Sequence, residues 1–147
     1  MNFIAKICAC ALLFVAIANA QAQELPTVEL EIKTRSGTHT FNAEVASTNE
    51  TRAKGLMFRE KMAPDRGMLF TYNTPRNITM WMKNTPLSLD MIFIRSNGKV
   101  ATIAPNTVPF SLDYISSGED VSYVLEVIAG TAERIGLEPG DQVSIKR

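Results

Sequence analysis

The segment Trp81-Met82-Lys83-Asn84-Thr85-Pro86-Leu87-Ser88-Leu89-Asp90 gathers an indole, an ammonium, a side-chain amide and a carboxylate in one short stretch. Residues two apart on a strand share a face, so Trp81 and Lys83 are expected to point one way and Met80 and Met82 the other. With the methionines in the core, the indole and the ammonium face a shallow cleft together. The aromatic face there gives stacking area, and the cation selects an anionic or sugar-like ligand. Arg52 and Arg59 are expected to flank that cleft. A competing reading spends the same residues on locking the fold: Asp90 pairs with Arg59 or Lys83, and Asn84, followed by Thr85-Pro86, closes a turn. The two readings differ on whether Trp81 adjoins open space.

Two further chemistries are available. A hydrolase needs only two carboxylates at a set separation, and Asp90 with Glu126 is the pair to consider. Glu126 lies in the apolar run Tyr123-Val124-Leu125-Glu126-Val127 and shares a face with Val124 and Ile128, so it is expected to be buried against a cation. Met57, Met62, Met68, Met80, Met82 and Met91 form the second cluster. Soft thioethers can select Cu(I), with Met80 and Met82 the natural pair, but methionine more often fills irregular cores. The expectation is a structural role for these methionines, with no metal and no cofactor.

Other chemistries are excluded by where the cysteines and the histidine fall. Residues 1–20 carry one early lysine, an apolar run from Ile7 to Ile17 and the small-x-small site Ala18-Asn19-Ala20, the three parts of a secretory signal. A second such site ends at Ala22, so cleavage after either alanine is possible. The apolar run falls short of the roughly 20 residues of a transmembrane helix. Cys8 and Cys10 both lie in this signal, which leaves the mature chain without a thiol nucleophile, redox pair or zinc-thiolate site. The single histidine, His39, sits in an alternating segment and reads as a strand residue; only a triad through it stays formally open. The expected location is the periplasm or the exterior. Fifteen basic residues balance fifteen acidic ones, and nothing steers the chain toward nucleic acid. The expected partner is an unknown small molecule, glycan or protein, with no transmembrane segment once the signal is removed.

The elements that position these residues are mostly strands. Val28, Leu30 and Ile32 alternate with charged residues, Ser36-Gly37 turns the chain, and Phe41, Ala43 and Val45 alternate on the return. Thr48 precedes a short helix that ends near Gly55 to Phe58. Strands are expected over 68–72, 78–82, 89–95, 99–104, 121–128 and 142–146. Asn97-Gly98 makes a hairpin of 89–95 and 99–104. A long excursion fills 104–118, and a helical turn lies at 130–136. The chain therefore divides into a signal, a loose tail over 21–27 and one β-rich domain over 28–147. Its fold class is mainly β, a small barrel-like or sandwich fold of mostly antiparallel strands with one or two short helices.

Gly55-Leu56-Met57-Phe58-Arg59, Gly67-Met68-Leu69-Phe70, Trp81-Met82-Lys83-Asn84-Thr85, Leu89-Asp90, Tyr123-Val124-Leu125-Glu126-Val127 and Gly140-Asp141-Gln142-Val143 follow one another in this order. In order and spacing the chain resembles the domain-of-unknown-function family 192 over about residues 28–147. That resemblance implies a compact, mostly β domain, often behind a signal peptide, with no established activity. It departs from the family pattern at Met80, where an aromatic residue usually precedes the Trp. The reading that follows is an exported binding or accessory module whose site comprises Arg52, Arg59, Trp81, Lys83, Asn84 and Asp90. The alternatives are the hydrolase using Asp90 and, less favoured, Met-based Cu(I) binding.

Overall fold

The computed structural model describes residues 24–146, so the signal and its cleavage site lie outside the described residues. The chain forms β1 (Thr27–Thr34), β2 (Gly37–Ala46), α1 (Asn49–Lys54), β3 (Arg66–Met80), β4 (Leu89–Ile94), β5 (Val100–Ala104), β6 (Ile115–Ile128), α2 (Thr131–Ile135) and β7 (Gln142–Lys146). The strands make one sheet in the order β5-β4-β6-β3-β2-β1-β7. Among the described strands only β2 and β3 pair in parallel, which requires a crossover, and α1 lies in that connection. The sheet curls until its edge strands meet at one end. There Val100 N–H donates to Asp141 O at 2.9 Å and Val143 N–H to Gly98 O at 2.8 Å. The result is a half-barrel, the barrel-like alternative of the two that the sequence allowed.

Alternation along the strands builds two cores. Leu30, Ile32, Phe41, Leu69, Ile92 and Leu125 fill the inside of the curl, plugged by Ala132, Ile135 and Leu137 in and after α2. Met68, Phe70, Met91, Phe93 and Val124 face outward, yet are buried beneath connections that carry Leu56, Met62, Met82 and Leu87. Strands β4 and β6 are thus covered on both faces, which explains why all six residues of Leu89–Ile94 are buried and all but Asp90 are apolar.

Local chemistry sets the boundaries. Thr48 and Thr51 form a reciprocal capping box at α1, and Gly55 closes the helix at φ 48°. The two strands expected over 68–72 and 78–82 are instead the single strand β3. Register shifts between Thr71 and Arg76 and between Asn77 and Thr79 absorb the Asn73-Thr74-Pro75 segment as bulges. Strand β6 therefore begins at Ile115, because the far half of β3 offers it a partner. Strand β1 begins at Thr27, which pairs with Glu44, one residue before the boundary read from the sequence. His39 Nε2 lies 2.9 Å from Ser36 Oγ, which donates to Ile135 O at 2.6 Å. This tether of the β1–β2 turn to α2 accounts for the histidine.

Gly67 is where β3 and β6 approach most tightly: a Cβ there would lie 2.6 Å from Glu126 O and 3.2 Å from both Leu125 Cδ1 and Val127 Cγ1. A backbone oxygen cannot swing aside. Gly67→Ala is expected to cost about 1–3 kcal/mol, as overpacking does, measured as a lower denaturation midpoint in urea.

Candidate functional site: an aromatic shelf on three loops

Three connections are tied together at Met82, Asn84 and Thr85. Phe58 N–H donates to Asn84 O at 2.8 Å, Phe110 N–H to Thr85 O at 3.1 Å, and Met82 N–H to Ser111 O at 3.0 Å. Met82 is buried and anchors the turn, while its neighbours Trp81 and Lys83 are exposed on the other side. Lys83 Nζ lies 5.0 Å from the Trp81 ring centroid, within cation–π range. Tyr114 stacks beside Trp81 with centroids 6.4 Å apart and planes inclined by 26°. Asn84 Nδ2 reaches Met57 Sδ at 3.8 Å.

Four non-glycine residues have positive φ among the described residues: Phe58 (64°), Asn84 (54°), Asn106 (52°) and Phe110 (61°). All four lie in these same three loops. Asn tolerates the left-handed region, but Phe has no local device for it, and the conformation costs roughly 1–2 kcal/mol. Both phenylalanines are nonetheless held there by their hydrogen bonds to the 84–85 turn, and both project into solvent. Phe58 is 72%, Phe110 61%, Tyr114 77% and Trp81 40% exposed, with Val108 and Leu112 also largely exposed. Trp81 thus stands in a group of exposed apolar side chains carried by these three loops, an aromatic shelf.

Of the residues read as a site from the sequence, Trp81, Lys83 and Asn84 are on this shelf. Arg52, Arg59 and Asp90 are engaged elsewhere. The Arg52 guanidinium donates to Ser47 O at 2.5 Å, Thr71 O at 2.8 Å and Asn49 Oδ1 at 2.7 Å. It also lies 5.0 Å from the Tyr72 centroid, so it ties α1 to β3. Arg59 makes a bidentate pair with Glu44 at 2.5 and 2.8 Å. That hydrogen-bonded pairing holds the Glu44 carboxyl below its ordinary range and raises the Arg59 guanidinium. The pair walls a hollow of about 480 Å³ over β1, β2 and β3, with Met68 also lining it.

Asp90 is wholly buried, but among the described residues neither Arg59 nor Lys83 nor another cation pairs with it. Its Oδ1 accepts from Asn106 N–H at 2.8 Å and Gly130 N–H at 3.2 Å, and its Oδ2 from Ala132 N–H at 2.8 Å. Three backbone donors satisfy the carboxylate without a counter-ion. It caps α2 and fixes the 104–115 connection, and so is occupied structurally where a hydrolase would need it free. Glu126 is buried as alternation indicated, again without a cation partner among the described residues. It faces Met68 on β3 and Met91 on β4, and burial pushes its carboxyl up to about 8. The residues missed from the sequence are Phe58, Phe110 and Tyr114. The available signal was Val108-Pro109-Phe110-Ser111-Leu112, an apolar stretch too broken by Pro to be a buried strand.

A small mainly β half-barrel with an exposed aromatic shelf is thus the class of protein defined by fold and surface. Residues 31–145 match the family model of domain-of-unknown-function family 192, described as "Uncharacterized ACR", and the chain belongs to that family. No curated protein matches it. It is similar to a crystal structure from Sinorhizobium meliloti 1021 described as a "putative transcription regulator", at 46% identity and TM-score 0.81, covering 83% of this chain and 95% of that one. A protein of unknown function from Novosphingobium aromaticivorans DSM 12444 is also similar, at 38% identity and TM-score 0.81, covering 84% and 89%.

Proposed function

We propose that this protein is an exported binding module, periplasmic or secreted, whose contact surface is the shelf of Phe58, Trp81, Phe110, Leu112 and Tyr114 with Lys83, and whose partner is another protein. The observation that carries this reading is the pair of solvent-facing phenylalanines in the left-handed region. Strain of this kind persists only where surrounding structure enforces it, and it concentrates at functional sites. Large apolar side chains this exposed present on the order of 700 Å², above the ~300–600 Å² patch of an ordinary monomer and near the ~800 Å² each partner gives to a standard interface. Exposed aromatics with Lys83 set over the Trp81 ring have the composition of a hot spot with a polar neighbour. The signal-like N-terminus supports export. The description of the Sinorhizobium protein as a regulator would suit a basic, nucleic-acid-binding face, but here acidic and basic residues balance.

A strained contact surface and a merely structural one respond oppositely to glycine. Changing Phe58 and Phe110 together to Gly relieves the left-handed strain while loosening the unfolded chain by a comparable amount, so stability should hold within about 1 kcal/mol. On gel filtration of the exported fraction of the producing cell, wild type should run in a complex and the double variant as free monomer. A variant that melts far lower, or that stays in the same complex, would show that the phenylalanines serve the fold and not the contact.

A further inference from the structure

The sheet order places one residue from each of strands β1 to β6 in a row across the outer face: Thr27, Glu44, Met68, Glu126, Met91 and Ala104. Glu44 is neutralised by Arg59. Glu126 has no such partner among the described residues: it is only 4% exposed and forms no salt bridge there. On its two sides stand Met68 and Met91, exposed by only 1% and 0%. Side chains directly opposite on neighbouring strands have Cβ atoms roughly 4.5–5.5 Å apart. Both thioether sulfurs and the carboxyl can therefore reach a common point above the sheet.

We propose that Met68, Glu126 and Met91 form a binding site for a soft monovalent metal ion, Cu(I) or Ag(I). Two thioethers supply the soft donors that such ions prefer over water. The single carboxylate balances the single positive charge, so ion and site are neutral together, as burial in an apolar face demands. A hard divalent ion would leave one charge uncompensated and lacks the oxygen ligands it requires. Met68 also lines the hollow walled by Glu24, Glu44, Glu50, Lys54 and Arg59, so the site borders a solvent-filled approach. The inference rests on the strand register and is independent of the aromatic shelf.

The test uses the full chain carrying Cys8→Ser and Cys10→Ser, so that thiols do not compete, titrated anaerobically with Cu(I) against bathocuproine disulfonate. One ion per chain is expected, with sulfur and oxygen neighbours in X-ray absorption. Affinity should fall about a hundredfold on losing any one of three ligands, in Glu126→Gln, Met68→Leu or Met91→Leu. Met80→Leu with Met82→Leu should leave it unchanged. Binding that survives Met68→Leu, or that is lost only with Met80 and Met82, would overturn the assignment, as would the absence of stoichiometric binding. Met→Leu conserves volume, so the test stands even if Glu126→Gln folds poorly.

Discussion

Asp90→Ala should lower the unfolding free energy by about 3–5 kcal/mol, because it strips the partner from three buried backbone N–H groups at once, each worth roughly 1–3 kcal/mol when left unsatisfied. Those donors belong to Asn106, Gly130 and Ala132, so one side chain joins β4 to the start of α2 and to the connection leading to the shelf. Against a total stability of about 5–15 kcal/mol, the loss brings the domain close to unfolding. Asp90→Asn keeps the shape but turns an amide NH₂ toward a donor, and should cost somewhat less. Guanidinium denaturation of both variants measures this. An Asp90→Ala midpoint within about 1 kcal/mol of wild type would mean that water replaces the carboxylate freely.

The second large effect is a pH dependence centred on Glu126. In the folded protein its carboxyl is raised by burial to about 8 from an ordinary value of 4.5. The folded state therefore holds a proton that the unfolded state gives up. The stability so contributed is fully present below about pH 4.5 and is lost as the pH rises through about 8. Glu126→Gln mimics the protonated acid at every pH. Wild type should thus match the variant near pH 5 and fall below it by pH 8, by on the order of 4 kcal/mol. Glu44 works in the opposite sense: pairing with Arg59 lowers its carboxyl, so its contribution is lost as the pH falls. Both proteins retain that acid arm, and the difference between their unfolding curves isolates Glu126. Tyr72, whose ring lies against Arg52 and Arg76 at 5.0 and 4.7 Å, is the other titratable group coupled to it. A difference that stays flat from pH 5 to 8 would show a solvated Glu126.

What the sequence made legible is what local pattern controls. Period-two alternation in Val28–Ile32 and Phe41–Val45 identifies the first hairpin, Thr48 marks the start of α1, and Asn97-Gly98 joins β4 to β5. The same alternation indicates that Trp81 and Lys83 point away from the buried Met82, and that Glu126 faces the apolar side. Long-range pairing was hidden. Asp90 finds a donor 42 residues away at Ala132, and no spacing rule separates that from an ion pair with Arg59. Asn73-Thr74-Pro75 has the composition of a turn, but becomes a bulge because β6 runs alongside. The left-handed conformations of Phe58 and Phe110 come from hydrogen bonds to Asn84 and Thr85, so no propensity foretells them. That Glu126 stands between two methionines follows from the order β4-β6-β3, a property of the topology alone.

The shelf is tested most directly by placing the photo-reactive residue p-benzoylphenylalanine, one position at a time, at Phe58, Leu112 and Tyr114 in the producing cell, with Glu29, exposed on β1, as the control. Irradiation should join the protein to the same partner protein from all three shelf positions and not from position 29, and Phe110→Gly should abolish the product from position 112. No product from the shelf, or equal products from the shelf and from position 29, would contradict a dedicated protein-binding surface there.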